Sequence, residues 1–152
     1  MTGYEPQIVR QDWHRATAAD WADVLSEVPL FSNVGKRRLR KVAEQARVVE
    51  FAPGEHVIVT GEPADSFYVI LGGEARAMGK RTLRTGDYFG ELALLDGGPR
   101  SASVIATEDL HVMQVPRRAF LELVDDHAGI ALKIARELGT RVRTLEHAPA
   151  RA

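Results

Sequence analysis

The spacing of apolar residues changes twice along the chain. Over residues 18–46 they recur every three or four positions, and over residues 47–115 they form short runs separated by turn residues. After residue 116 the three- or four-residue spacing returns. Spacing of three or four is typical of helices with one buried face, and short runs between turns are typical of β-strands. The pattern therefore predicts an α+β protein, with helices before and after a β-region.

Two helices are predicted before the β-region. Thr17 and Asp20 have the spacing of a capping box, which predicts a helix over residues 18–27 that ends before Pro29. Ser32 is a candidate cap for a second helix. The buried face of that helix would carry Val34, Leu39, Val42, Ala43 and Ala46.

Seven runs of strand-type residues follow at intervals near ten. They cover residues 48–51, 56–60, 67–71, 75–78, 82–85, 103–106 and 110–115. We place Gly79 and Lys80 at the tight turn of a hairpin. Short strands at this spacing predict an eight-stranded antiparallel β jelly roll, flanked by the N-terminal helices and a C-terminal helix pair.

The C-terminal helix pair begins at residues 116–117. Its first helix has Phe120, Leu121 and Val124 on one face, and its last helix begins at His127 or Ala128. One apolar stripe runs along the last helix, through Ile130, Ile134, Leu138, Val142 and Leu145. That stripe can pack on the chain's own barrel or on the same helix of a second subunit.

Composition limits the classes of function. With 152 residues, 45% of them hydrophobic, the chain can bury one core, and we expect an N-terminal arm over residues 1–17 and one domain over residues 18–152. A net charge of −1 gives no attraction to nucleic acid or to anionic membranes. The absence of cysteine excludes disulfides, thiolate metal sites and a cysteine nucleophile. Without a signal peptide or a long apolar segment, we expect a cytoplasmic protein.

The candidate chemistry lies in residues 86–104. Gly90 lets the backbone approach a ligand closely, and residues 91–95 are good helix formers whose first amides would point toward it. A glycine-proline turn then returns Arg100, whose guanidinium can bind two oxygens of one phosphate. Glu91 would repel a phosphate unless it faced a donor such as a ribose hydroxyl. The pattern predicts a phosphate and a sugar hydroxyl bound side by side.

Residues 89–95 and 99–104 resemble the phosphate-binding cassette of cyclic nucleotide-binding domains, as in catabolite activator proteins and protein kinase A regulatory subunits. Residues 51–55, 67–74 and 86–87 also follow that family's pattern in order and spacing. The resemblance implies that the glutamate holds the ribose 2′-hydroxyl, the arginine pairs with the cyclic phosphate, and backbone amides complete the site. By motif position, the site would consist of Gly90, Glu91, Leu92, Ala93, Arg100, Ser101 and Ala102.

The resemblance also bears on which base is bound and on how binding would be transmitted to the rest of the protein. The residue after the arginine is often alanine in cyclic AMP sites and threonine in many cyclic GMP sites. Ser101 also resembles bacterial cyclic AMP receptors, so we expect cyclic AMP in preference to cyclic GMP. Arg141 and Thr140 are the candidates to cap the base, Arg141 through a cation–π contact. The resemblance implies a stand-alone sensor that repositions its last helix on binding. It favours a homodimer through that helix, with an unknown protein partner.

Alternative functions rest on other features. A transcription regulator of the catabolite activator type needs a helix-turn-helix after the last helix, so that alternative requires this chain to be truncated. A DNA or RNA site is disfavoured because the basic cluster has the pattern of a solvated helix face, with Lys36, Arg37, Arg38, Arg40 and Lys41. No histidine pair has metal-ligand spacing and no nucleophile elbow is present, so we expect neither a metal site nor an enzyme.

Overall fold

The first helix begins as its capping box predicts. The structure, a computed structural model, describes residues 16–78 and 81–146, with side chains through Thr144. Helix α1 spans Ala18–Ser26. The amide of Asp20 donates to the Thr17 hydroxyl at 3.2 Å, and the amide of Thr17 donates to the Asp20 carboxylate at 2.9 Å. Most of the predicted arm, the turn at Gly79 and Lys80, and the Leu145 side chain lie outside the described residues.

The second helix begins later than the candidate cap. Pro29–Phe31 form a 3₁₀ turn, and α2 spans Lys36–Gln45 with Gly35 as its N-cap. The prediction of Ser32 as the cap is wrong because the backbone keeps turning there: the amide of Ser32 donates to the carbonyl of Pro29 at 3.2 Å. The Ser32 hydroxyl instead accepts a hydrogen bond from Lys133 at 2.7 Å. The predicted buried face is confirmed, with Ala46 partly buried and Val34, Leu39, Val42 and Ala43 fully so.

The basic face of α2 is exposed over most of its length. Lys36 pairs with Asp23 at 3.2 Å, and Arg38 pairs with Asp126. Arg37, Arg40 and Lys41 are exposed. This arrangement is that of a solvated helix face.

Eight antiparallel strands among the described residues form two four-stranded sheets, which confirms the jelly roll. One sheet has the order β1-β8-β3-β6 and the other β2-β7-β4-β5. In chain order the strands are β1 Arg47–Phe51, β2 His56–Ile58, β3 Ser66–Gly72, β4 Glu74–Ala77, β5 Arg81–Arg84, β6 Tyr88–Phe89, β7 Val104–Ala106 and β8 Leu110–Pro116.

Strand β6 is the one that the sequence did not identify. It lies in the stretch interpreted as the turn that opens the cassette, and two residues are too few to show alternation. Tyr88 pairs with Val69 and Phe89 with Tyr68, both on β3. Because β6 ends one residue before Gly90, this pairing determines where the cassette leaves the sheet.

Strand β3 separates two parts of the core. Its residues are all buried and alternate in direction, as a strand covered on both faces requires. Phe67 packs toward the helices, where its ring stacks on Phe120 with centroids 4.5 Å apart. Tyr68 and Ile70 face the inside of the roll. The helices therefore cover the outer face of the β1-β8-β3-β6 sheet. Tyr68 and Ile70 belong to a second hydrophobic cluster, which fills the interior of the roll.

The last two helices pack on this covered face. Helix α4 spans Arg117–Asp126, with Phe120 buried, and Leu121 and Val124 partly buried. Helix α5 spans Ala128–Glu146, and its predicted stripe is buried at Ile130 and Ile134 but exposed at Val142. Within the described ranges, no helix has both the length and the apolar character needed to span a bilayer.

Candidate functional site

A cavity of about 210 Å³ brings the predicted cassette residues together. It lies between the β2-β7-β4-β5 sheet, the cassette and α5. All seven cassette residues predicted from the sequence line it, namely Gly90, Glu91, Leu92, Ala93, Arg100, Ser101 and Ala102. The sheet and β6 supply a mainly apolar wall of Ile58, Ala77, Met78, Phe89 and Val104.

Gly90 is the N-cap of the short helix α3, which spans Glu91–Asp96. Its φ of 89° lies in the left-handed region, which glycine adopts at little cost. A Cβ at this position would lie 2.9 Å from Nη1 of Arg100 and 3.2 Å from the carbonyl oxygen of Ser66. Both the backbone conformation and the close packing therefore require glycine at the start of the cassette.

Arg100 is buried and held in place by backbone carbonyls. It is 4% exposed; Nη1 donates to the carbonyl of Gly90 at 3.0 Å and Nη2 to the carbonyl of Ser66 at 2.8 Å. Its guanidinium carbon lies 5.7 Å from the centre of the Tyr68 ring. A guanidinium has five N–H donors, so these two bonds leave donors for an anion in the cavity.

Glu91 is buried at the start of α3. Its side chain is 3% exposed, and Oε1 lies 3.9 Å from Nη2 of Arg141. The other oxygen, Oε2, is buried without a hydrogen-bond partner among the described residues. Burial raises the pKa of Glu91, and the positive charges of Arg141, Arg81 and Arg100 partly oppose that rise. A buried carboxylate oxygen without a donor is costly, and a ligand hydroxyl would supply one.

The two candidate base caps on α5 are placed differently. Arg141 lines the cavity beside Glu91. Thr140 is exposed, is not among the cavity-lining residues, and its hydroxyl donates to the carbonyl of Arg136 at 3.1 Å. Neighbouring positions on a helix point about 100° apart, so the two side chains cannot both face the cavity.

Arg81 lines the same cavity and is a residue that the sequence analysis missed. The predicted strand began at Thr82, which left Arg81 in the turn. In the structure Arg81 is the first residue of β5 and pairs with Ala77 of β4. The signal that could have found it is the inward alternation shared with Leu83, two positions further along the strand.

A larger cavity, of about 590 Å³, lies between the 3₁₀ turn and α5. It contains none of the cassette residues. Its polar side chains are partly engaged within the protein: Lys133 donates to the carbonyl of Pro29 at 3.0 Å, and the Tyr88 hydroxyl donates to Glu137. Size alone therefore does not identify the functional site.

Comparison with known proteins gives a consistent result. A cAMP-dependent protein kinase regulatory subunit from Hypocrea atroviridis is 38% identical over 133 residues, which are 85% of this chain and 29% of that protein. The regulatory domain of Toxoplasma gondii PKA, crystallised with cAMP, has a TM-score of 0.74 at 27% identity, over 87% of this chain and 53% of that one. The catabolite activator protein of Thermus thermophilus has a TM-score of 0.65 at 26% identity, over 78% and 60%.

The chain spans less than a third of the length of the curated relatives it matches first.

The sequence profile of a protein family also matches this chain. The profile is that of the cyclic nucleotide-binding domain, and it covers residues 48–127. This range contains the cassette and all eight strands except the first residue of β1. The cavity, the fold and the profile agree, and the chain belongs to the cyclic nucleotide-binding domain family.

Proposed function

We propose that this chain is a sensor module that binds cyclic AMP in preference to cyclic GMP and transmits binding through α5. The observation that carries the proposal is the shared cavity. In this cavity, Arg100 has N–H donors beyond those that bind the two backbone carbonyls, and Glu91 has a buried carboxylate oxygen that receives no hydrogen bond from the described residues. A cyclic nucleotide supplies both missing partners, an anionic phosphate and a ribose hydroxyl.

Each part of the ligand has a counterpart in the cavity. The cyclic phosphate pairs with Arg100 and with backbone amides of the cassette. The ribose 2′-hydroxyl donates to Oε2 of Glu91. The base lies against the apolar wall formed by residues such as Ile58 and Val104.

The preference for cyclic AMP rests on Ser101 and on the relatives. Ser101 lines the cavity and provides a hydroxyl without the methyl group of threonine. The Hypocrea atroviridis relative is a cAMP-dependent kinase subunit, and the Toxoplasma gondii structure was determined with cAMP. Because the curated relatives are kinase regulatory subunits, we favour a regulatory module over a transcription regulator and assign no catalytic residue.

Binding changes the contact between the cavity and α5. Arg141 lies 3.9 Å from Oε1 of Glu91, and a ribose hydroxyl that donates to Oε2 draws negative charge away from that long contact. The Arg141 guanidinium can then turn from Glu91 and stack on the purine as a cation–π cap. A ligand that alters this contact shifts the population of α5 positions.

The test is isothermal titration calorimetry with cyclic AMP and cyclic GMP. We compare wild type, Arg100→Ala and the exposed control Arg84→Ala, whose side chain pairs with Glu74 outside the cavity. Removing a buried partner of a charged pair costs about 2–5 kcal/mol, so Arg100→Ala should abolish measurable binding while the control binds normally. If wild type binds neither nucleotide at micromolar concentration, the proposal fails.

A homodimer through α5 is favoured by two exposed apolar side chains on that helix. Leu132 is 50% exposed and Val142 is 53% exposed. Size-exclusion chromatography with light scattering should show a dimer for wild type and a monomer for Leu132→Glu. A monomeric wild type would remove the dimer and leave α5 free for a different protein partner.

A further inference from the structure

The last part of the cassette, from Arg100 to Ser103, is tied to neighbouring segments at both of its ends. At Arg100, the backbone amide donates to the carbonyl of Glu62 at 2.8 Å, and the carbonyl accepts from the amide of Gly61 at 2.9 Å. At Ser103, the carbonyl accepts from the amide of Met78 at 2.9 Å. The residues between these two fixed points form a short bridge along the cavity.

The hydroxyl of Ser103 makes a further attachment, to the turn that follows β2. The amide of Thr60 donates to Oγ of Ser103 at 2.9 Å, and the two hydroxyl oxygens lie 3.1 Å apart. Strands β2 and β7 are antiparallel, with Ile58 opposite Val104. Two residues further along each strand, the same register would place Thr60 opposite Ala102. The Ser103 side chain therefore accepts the amide that a continued ladder would direct to the backbone of Ala102.

Ala102 consequently keeps a backbone amide without a partner. Ala102 is partly buried and lines the cavity with Arg100, and its amide donates no hydrogen bond to any of the described residues. In a hydrogen-bonded antiparallel pair, both the N–H and the C=O of a residue face the partner strand. Pairing with Thr60 would therefore turn this amide away from the cavity. An unpaired amide beside an arginine with unused donors indicates an anionic ligand.

We propose that Ser103 is a positioning residue for the cyclic phosphate. By accepting the Thr60 amide, its hydroxyl keeps Ala102 out of the ladder and leaves the Ala102 amide free to donate to a phosphate oxygen. Ser103 itself is 9% exposed and does not line the cavity, so it acts through Ala102. This inference rests on the proposed cyclic nucleotide function.

Removing the hydroxyl should affect one phosphate donor and spare another. In Ser103→Ala the Thr60 amide loses its acceptor, and its partner in the β2-β7 register is the backbone of Ala102. Re-pairing there extends the ladder and withdraws the Ala102 amide. Arg100 stays in place, because its backbone bonds and the carbonyls that hold its guanidinium do not involve Ser103.

The experiment follows two cassette amides separately. Labelling with ¹⁵N-alanine reports on Ala102 and on Ala93, one of the first-turn amides of α3. Spectra without and with saturating cyclic AMP are recorded for wild type, Ser103→Ala and Ser103→Thr, and calorimetry gives the affinities. The matched control is Ser26→Ala, which removes a hydroxyl that donates to the carbonyl of Asp23 at the end of α1. Thermal melts confirm that each variant is folded.

The expected result separates the two amides. In wild type, cyclic AMP moves the proton signals of both Ala93 and Ala102 downfield, as strong hydrogen bonds to a charged oxygen do. Ser103→Ala binds cyclic AMP about tenfold more weakly and keeps the shift of Ala93 but not that of Ala102. Ser103→Thr retains a hydroxyl and restores both the affinity and the Ala102 shift. Ser26→Ala behaves as wild type.

Other outcomes overturn the inference in distinguishable ways. If wild type binds neither cyclic AMP nor cyclic GMP, the proposed function itself fails. If wild type binds but its Ala102 signal does not move, or moves equally in Ser103→Ala, only the role of Ser103 fails. Loss of both shifts in Ser103→Ala would mean that Ser103 supports the whole cassette and does not position this amide. A folded Ser103→Thr without restored binding would exclude the hydroxyl as the cause.

A second variant covers the case in which Ser103→Ala does not fold. Ser103→Cys keeps a side chain of similar size, and its thiol is a weak acceptor. It must show the same selective loss of the Ala102 shift for the inference to stand.

Discussion

Replacing Glu91 by glutamine should weaken ligand binding and stabilise the free protein. The substitution keeps the shape of a side chain that is 3% exposed and removes its charge. Burial is the largest influence on the pKa of Glu91 and raises it. The desolvation cost of the ionised carboxylate in the folded chain is therefore larger than the stabilisation it gains from the neighbouring arginines. The neutral amide avoids this cost.

The size of both effects follows from the geometry. A buried polar group without a partner costs about 1–3 kcal/mol, and a charged one costs more; the amide keeps the smaller cost, so we expect glutamine to stabilise the free protein by about 1 kcal/mol. For a chain of this size, each kcal/mol raises Tm by about 2–4 °C. Loss of a charge-assisted hydrogen bond to the ribose costs about 1.5–3 kcal/mol, which weakens cyclic AMP binding roughly 10- to 150-fold. The 2′-deoxy analogue lacks the hydroxyl, so its affinity should change much less.

Differential scanning fluorimetry without ligand and calorimetry with both nucleotides measure the two effects. The matched control is Glu122→Gln, which changes an exposed carboxylate on α4. Equal loss of affinity for cyclic AMP and its 2′-deoxy analogue would remove the ribose role of Glu91. A lower Tm in Glu91→Gln would show that the arginines stabilise the carboxylate more than burial destabilises it.

The Glu91 carboxylate also makes the free energy of unfolding depend on pH. Its pKa in the folded chain lies above its pKa in the unfolded chain, so between the two values the folded protein binds more protons. Wild type therefore loses stability as the pH rises through this window. The advantage of Glu91→Gln is absent below the unfolded pKa and complete above the folded pKa, which urea unfolding at several pH values will measure.

Three further predictions concern other parts of the structure. Gly90→Ala places a Cβ 2.9 Å from Nη1 of Arg100 at a φ of 89°, so calorimetry should show weaker cyclic AMP binding; wild-type affinity would contradict this packing. Thr17→Ala removes the cap of α1 and should lower the free energy of unfolding in urea by about 1 kcal/mol, with unchanged nucleotide affinity. Acidification through the raised pKa of Glu91 should weaken cyclic AMP binding in wild type; a pH profile of the same slope in Glu91→Gln would assign the effect to a different group.

The cassette could be predicted from the sequence because its information is local. A glycine at positive φ, a short helix and a returning arginine are neighbours in the chain, and all seven predicted residues line the cavity. The capping box of α1 was found for the same reason. Short-range patterns of this kind specify both the backbone and the side chains that it presents.

The residues that the sequence missed depend on which element each one pairs with. Arg81 faces the cavity because of its register opposite Ala77, and the neighbouring turn does not reveal that register. Strand β6 forms because Tyr88 and Phe89 pair with β3, which lies about twenty residues earlier in the chain. Ser32 had suitable cap chemistry, but the 3₁₀ turn before it and the Lys133 side chain determined its role.

The two carbonyl contacts of Arg100 have a kinetic consequence. Its guanidinium is ordered by the protein's own carbonyls, those of Gly90 and Ser66, so its rotamer freedom is lost during folding and not during binding. Nucleotides that share the cyclic phosphate should therefore associate at similar rates. Their differences in affinity should appear as differences in residence time, set by how well the ribose and base are held after the phosphate has docked.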